Sequence, residues 1–448
     1  MLLSEIAAIC NGDLRGQDQQ VSAVVCDSRQ AVAGSLFVAL AGERADGHDH
    51  VDSAADNGVR AAMVERYVDT RISQLQVDDN LQALACLAAH VRHDFSGRVF
   101  AITGSSGKTS TRDMLAGIVQ LAGKVSSTRG NQNNELGVPL TILAADPQAD
   151  YWVLEMGAAK AGDIAYLMRM ADPDIAVITN IGVAHIGRFG SAEVLATTKA
   201  EIFTGLRDDA VAVINLDDKY AQQWQTICAG RKTVTFSMQN SEADVHATAI
   251  ESNQDGSDFV LHCHHRQVPV HLQVPGHHQI SNALCAAACA LAADVDAAVI
   301  ADGLSAFSGV AGRQQKKRAA SGALLIDDSY NANPASVKAA IDVLAGYAGR
   351  QVLVLGDMAE LGDFSAACHR EIGEYAAMKG IDELLTVGDD SRYVSQAFAG
   401  KARHFTDRQL VIDYLQKTTD RDDVVLIKGS RSAAMENVVA QLQKQVSG

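Results

Sequence analysis

The chain has 448 residues, of which 47% are hydrophobic, 21% charged and only 6 are proline. That is the composition of a folded globular protein, too long for one hydrophobic core and long enough for about three domains. The formal net charge of -16 excludes wholesale binding to nucleic acid or to an anionic membrane surface, because neutralising phosphates takes a field of Lys and Arg. An anionic substrate would need local basic residues.

The opening MLLSEIAAIC carries an acid and lacks both the basic stretch and the small-residue cleavage site of a signal peptide. No apolar run reaches the roughly 20 residues that cross a bilayer. Eight cysteines, at 10, 26, 86, 228, 263, 285, 289 and 368, form no C-x-x-C pair, which fits reduced thiols in the cytoplasm. From Val21 to Arg66, short β-rich runs (VSAVVCDS, SLFVAL, AAMVER) flank a helical stretch near VDSAADNG, which predicts a small α/β unit. LQALACLAAHVRHDF, Leu81 to Phe95, predicts a helix leading into the strand RVFAIT, and the first domain boundary falls near Asp79.

The middle of the chain repeats strand, turn and helix through VFAIT, YWVLEM, DIAVITNI and AVAVIN. Near-continuous apolar strands of this kind predict a mostly parallel sheet covered on both faces. After Gly312 the alternation restarts with ALLIDDS, QVLVLGD, ELLTVGD and DVVLIKG. The expected architecture is α/β in three domains, 1–79, 80–311 and 312–448, the last Rossmann-like.

Thr103-Gly104-Ser105-Ser106-Gly107-Lys108-Thr109 follows a strand, and Ser110 onward reads as a helix. In that context the backbone N-H groups wrap phosphates, the helix N-terminus favours anions, Lys108 supplies a charge and Thr109 offers a hydroxyl to magnesium. The loop is a shortened variant, with Ile102 standing where the longer pattern has its first glycine. Glu155 ends the strand YWVLEM and His185 follows another, so both emerge at the carboxyl edge where a parallel sheet places its ligands. Lys199, in AEVLATTKAEIF, reads from pattern alone as a solvated helix lysine. The polar run Ser127 to Pro139 has the character of a binding loop.

GRQQKK from Gly312, DDSYNANPAS from Asp327, LGDMAELG from Leu355 and KGSRSAAMENV from Lys428 lie at or beyond strand ends. With the short phosphate loop, their order closely resembles the Mur ligases of bacterial cell-wall synthesis along nearly the whole chain, and within them the branch that adds D-alanyl-D-alanine. The resemblance implies an ADP-forming ligase of the bacterial cytoplasm, acting as a monomer. It would join D-alanyl-D-alanine to UDP-N-acetylmuramoyl-tripeptide through an acyl phosphate, a step on which cell shape and division depend.

Carried over residue by residue, the resemblance makes the segment Gly104 to Ser110 an ATP site. Thr109, Glu155, His185 and Lys199 become ligands of Mg²⁺, with Lys199 carbamylated by CO₂ so that a cation becomes a carboxylate. Lys108, Glu155, His185 and Lys199 are the catalytic set. Gly276 to Ala283 resembles an adenine-side H-N-x-x-N-A motif with Asn282 as base contact and Gln279 in place of the first asparagine. Arg313 and Asp328 would meet ATP phosphate and ribose when the last domain closes. Ser28, Arg29 and His48 fall in segments similar to the family's UDP-binding part, which makes the first domain the UDP-binding one. Asn331, Asn333, Lys428 and Arg431 fall on the dipeptide side.

Four other readings compete. The neighbouring ligase that adds a diamino acid would carry a D-N-P-R signature, which is missing here, and folylpolyglutamate synthetase needs no first domain of this kind. A nucleotide-sensing scaffold without chemistry would not keep Lys108, Thr109, Glu155, His185 and Lys199 together. A zinc site in His262-Cys263-His264-His265 fails on strand alternation, which splits the four between two faces, so surface histidines on a hairpin are expected.

Overall fold

The structure, a computed structural model, describes residues 1–42, 45–182 and 186–444. Three sheets follow one another along the chain, and each forms where apolar runs of four to six residues can be covered by helices. The first has five strands in the order Asp13–Arg15, Ser73–Gln76, Ala61–Val64, Ser35–Val38, Ala23–Val25, parallel except for the first pair. The segment VDSAADNG gives the helix Val51–Asp56.

The helix Asn80–His93 starts where the Asp79 carboxylate accepts the N-H groups of Leu81 and Gln82. One of its stripes, Ala83, Leu84 and Leu87, packs into the first core, while Ala88 packs into the second.

The second sheet has nine strands. The phosphate-loop strand Arg98–Thr103 lies between Tyr151–Glu155 on one side and Ile175–Ile178 on the other, all three parallel. Register sets Ile102 opposite Glu155 and Thr103 opposite Ile178, so the loop, the Glu155 carboxylate and the Thr179-Asn180 turn leave the sheet at one edge. The parallel part continues through Val211–Asn215 and Lys232–Ser237, and the far end is antiparallel, Val245–Ser252, Ser257–Cys263 and Arg266–Leu272. The last two of these strands are joined by the turn His264-His265. Cys263 is buried and both turn histidines are exposed, as a hairpin demands. Among the described residues no cluster of three or more His, Cys, Asp or Glu could hold a metal ion.

In the six-stranded third sheet, Val424–Lys428 lies between Leu324–Asp328 and Gln351–Gly356, and the edge strand Gln315–Arg318 runs antiparallel. Asp328 and Lys428 are register partners at the carboxyl ends of neighbouring strands. No helix among the described residues is long and apolar enough to cross a membrane.

Candidate active site

The phosphate loop is shaped by two glycines that no other residue could replace without displacement. Gly104 has φ 149°, and a Cβ there would lie 1.9 Å from Thr179 Oγ1; Gly107 has φ 80°, and a Cβ would lie 2.2 Å from Asn282 Oδ1. The turn after the neighbouring strand braces the loop. Ser105 N-H donates to Asn180 O at 2.9 Å, Ser106 N-H donates to Asn180 Oδ1 at 3.1 Å, and Thr179 Oγ1 donates to Ser106 O at 2.6 Å. The helix Lys108–Gln120 then begins with its free N-H groups facing the loop. Lys108 Nζ donates to Gly104 O at 2.7 Å. Its pKa is pushed down by burial, held up in part by Glu155 and lowered further by Arg313.

Glu155 is buried, and both its oxygens are engaged. Asn133 Nδ2 donates to Oε1 at 2.8 Å and Arg112 Nη1 to Oε2 at 3.1 Å. Arg112 stands one helical turn after Lys108 on the same face, a spacing that could have flagged it; its guanidinium also donates to Gly130 O at 2.9 Å. Asn133 comes from the polar run Ser127 to Pro139, which the sequence marks as a binding loop without singling out the residue.

Lys199 departs from its pattern reading as a solvated lysine. It is 1% exposed, because the helix Ala192–Thr204 turns that face onto the sheet. Burial, then the nearby Lys108, pushes its pKa well below the ordinary value, so the amine is favoured in its neutral form. His185 lies outside the described residues.

The third domain closes over this edge. Arg313 Nη2 donates to Thr109 Oγ1 at 2.9 Å, and Asn333 Nδ2 donates to Ser106 Oγ at 3.1 Å. Between the two domains lies a cavity of about 270 Å³, bordered by the loop from Ser105 to Ser110, by Asn282, and by Arg313, Asp328, Asn331, Asn333 and Lys428. A second cavity, of about 450 Å³, is bordered by Glu155, Lys199, Asn133, Glu360 and Arg431, and shares Lys108, Arg313, Tyr330 and Asn331 with the first. Lys108 and Arg313 therefore stand where the two spaces meet.

Several of the candidate residues contact one another. Lys428 donates to Asp328 Oδ2 at 2.6 Å and to Asn331 O at 2.9 Å, and with Asn333 it borders the first cavity and not the second. Burial pushes the Asp328 carboxyl up, against the pull of Lys428 and Arg313. Asn282 lies against Gly107 at the phosphate loop, and its Nδ2 donates to Gln279 Oε1 at 3.3 Å.

His48 cannot offer its ring to a substrate. It is buried, Nδ1 donates to Asp46 Oδ1 at 2.7 Å, and Nε2 accepts the Glu65 N-H at 3.0 Å. Arg29 is 87% exposed at its side chain and paired with Asp27, and Ser28 lies beside it. Neither borders the two cavities.

Two joined cavities under a closing domain, with a phosphate loop at their junction, define an enzyme that brings a nucleotide and a second substrate together, and the family models agree. The Mur ligase middle domain matches residues 102–290, the Mur ligase glutamate ligase domain matches 312–431, and the Mur ligase family catalytic domain matches 20–92. The chain belongs to the Mur ligase family. The UDP-N-acetylmuramoyl-tripeptide--D-alanyl-D-alanine ligase of Escherichia coli K12 is 43% identical over 444 residues, covering 99% of this chain and 98% of that protein. A crystal structure of MurF from Acinetobacter baumannii superposes with a TM-score of 0.92 at 34% identity, covering 99% of this chain and 98% of that one. MurF ligase from Thermotoga maritima in complex with ADP gives 0.83 at 29% identity, over 94% and 97%.

Proposed function

We propose that this chain forms the amide bond between D-alanyl-D-alanine and UDP-N-acetylmuramoyl-tripeptide at the expense of ATP, in the bacterial cytoplasm and as a monomer. One observation carries the reading: the phosphate loop sits between two joined cavities, with Lys108 and Arg313 bordering both. Of the competing ideas, a scaffold without chemistry has no use for a buried lysine in the second cavity.

A carboxylate is a poor electrophile. Phosphoryl transfer from ATP converts it to an acyl phosphate, the amine of the dipeptide attacks the acyl carbon, and phosphate leaves with the C-O bond. The chain's contribution is positioning and charge. Lys108, Arg313 and the loop N-H groups take the phosphoryl oxygens, and the closed third domain excludes water from the mixed anhydride.

Magnesium, when bound, supplies further neutralisation of phosphate charge. The donors suit it: the Thr109 hydroxyl and Glu155 carboxylate are hard oxygens, and His185 completes the proposed set. Lys199 as an ammonium would not ligate; as a carbamate it would, and a neutral buried amine is the form that reacts with CO₂. Arg112 and Asn133 hold the Glu155 carboxylate in place.

Within the substrates' paths, Arg431 and Asn331 remain candidates for the dipeptide, while Asn333 and Lys428 are reassigned to the nucleotide side. Ser28 and Arg29 are kept for the UDP moiety, and His48 becomes a brace for the Asp46 turn. The working division of the chain stays at 1–79, 80–311 and 312–448. The test is phosphate release from Mg-ATP with UDP-N-acetylmuramoyl-tripeptide, with and without D-alanyl-D-alanine, following product mass. Release that needs both substrates, and a product heavier by the dipeptide less one water, is the expected result. Turnover only with a free diamino acid and the shorter UDP-dipeptide would replace the substrate pair.

A further inference from the structure

Asn215 ends the strand Val211–Asn215, which lies parallel to Ile175–Ile178. The paired residues run from Val211 opposite Ile175 to Val213 opposite Val177 and stop there, although the same register would bring Asn215 opposite Thr179. Beyond that point a side chain takes over from the backbone ladder: Asn215 Nδ2 donates to Thr179 O at 2.8 Å. Its Oδ1 accepts the Asp217 N-H at 3.0 Å, so both ends of a buried amide are engaged. An amide supplies donor and acceptor on separate atoms, which an aspartate of the same size does not.

Thr179 is the residue against which the phosphate loop rests. Gly104 packs on its Oγ1, Oγ1 donates to Ser106 O, and the next residue, Asn180, donates through Nδ2 to the same oxygen at 3.1 Å. On its other side the Thr179 carbonyl is held by Asn215. Asp218 holds the turn too, but at the following residue, where its Oδ2 accepts the Ile181 N-H at 2.7 Å, so it fixes the exit of the chain and not the residue touching Gly104. Asp217, to which Asn215 is bonded, accepts in turn from the Ser237 hydroxyl and from the Met238 N-H at 2.6 Å. Asn215 is therefore the link from a network of strand ends to the loop.

We propose that Asn215 is a positioning residue for phosphate binding: by holding the Thr179 carbonyl it sets the turn that sets the phosphate loop. A loop whose N-H groups are already aimed binds an anion without reorganising, and displacement of the turn misdirects those groups. Asn215 borders neither cavity and touches no substrate. It acts on the loop through Thr179. The inference rests on the reading of the loop as the site of the ATP phosphates.

The experiment titrates the full chain with ADP, comparing the native protein with Asn215→Ala, Thr179→Ala and the double variant, and measures KM for each substrate. Asn215→Ala should weaken ADP binding about fivefold, the scale of one hydrogen bond, and raise KM for ATP while leaving KM for UDP-N-acetylmuramoyl-tripeptide unchanged. The double variant should lose less than the roughly twenty-five-fold product expected of two independent sites. Asn215→Asp keeps the side-chain volume and the acceptor for the Asp217 N-H but withdraws the donor to Thr179, so it should show at least the same loss, and it replaces the alanine variant if that one does not fold. Native affinity for ADP in Asn215→Asp, an equal rise in both KM values, or a full product in the double variant would overturn the role of Asn215 and leave the phosphate site standing. If the native chain does not bind ADP, the site reading falls, and this inference with it.

Discussion

Lys199 illustrates what a single residue's environment adds to its identity. In the pattern AEVLATTKAEIF it is an ordinary helix lysine, yet its amine is buried near Lys108, where a second full positive charge is disfavoured. Conversion to a carbamate, as proposed, would remove that conflict. We expect Lys199→Ala to lower phosphate release by about a hundredfold, the scale of removing one preorganised charge, and added formate or acetate to restore part of it. Absence of rescue would remove the carbamate and leave the burial unexplained. His48 shows the converse: its identity suggested a ligand, but both ring nitrogens are spent on Asp46 and Glu65.

At the scale of elements, the strand-loop-helix unit from Arg98 to Gln120 was legible because its chemistry is local. Glycines at φ 149° and 80° and a lysine at the helix start follow from a seven-residue string. The bracing from Asn180 and Asn282 was not, since those residues lie far along the chain. Gly107→Ala tests the unit. A Cβ in the left-handed region costs about 1–2 kcal/mol, and here it would also displace Asn282, so ADP binding should weaken by more than roughly tenfold. Unchanged binding by calorimetry would mean that the loop does not hold phosphate.

The central parallel strands were equally legible from their apolar runs. The edge strands Asp13–Arg15, Gln315–Arg318 and Lys401–Phe405 were not. DLR, QKKR and KARHF carry little apolar signal, because an edge strand needs backbone pairing on one side only and often faces water. QKKR therefore read as part of a motif, although its backbone extends the third sheet.

For the whole molecule, closure is the decisive arrangement. Besides the contacts at the site, Tyr347 of the third domain donates to Gln254 O at 3.0 Å and Lys316 pairs with Asp255 at 3.0 Å, both at the hairpin end of the central domain. Tyr347→Phe removes one hydrogen bond from the closed form, worth about 1 kcal/mol or roughly fivefold in the closed-to-open ratio. The expected outcome is a raised KM for ATP and a larger radius in small-angle scattering, with the unfolding midpoint nearly unchanged. A radius and KM equal to those of the native chain would show that this contact does not hold the domains together.

By itself the sequence determined the phosphate loop, the central strands with Glu155 at the carboxyl end of one of them, and the family. These are local signals, read from residues a few positions apart. Only the tertiary structure decided which charges meet. It paired Arg112 with Glu155, buried Lys199, withdrew His48, and put Asn333 and Lys428 at the first cavity and not the second. It also gathered Lys108, Arg112, Lys199, Arg313 and Lys428 into one region of a chain whose net charge is -16. The physical reason is that strand order and domain closure bring together residues up to 227 positions apart, as with Asn333 and Ser106, and no local periodicity encodes that approach.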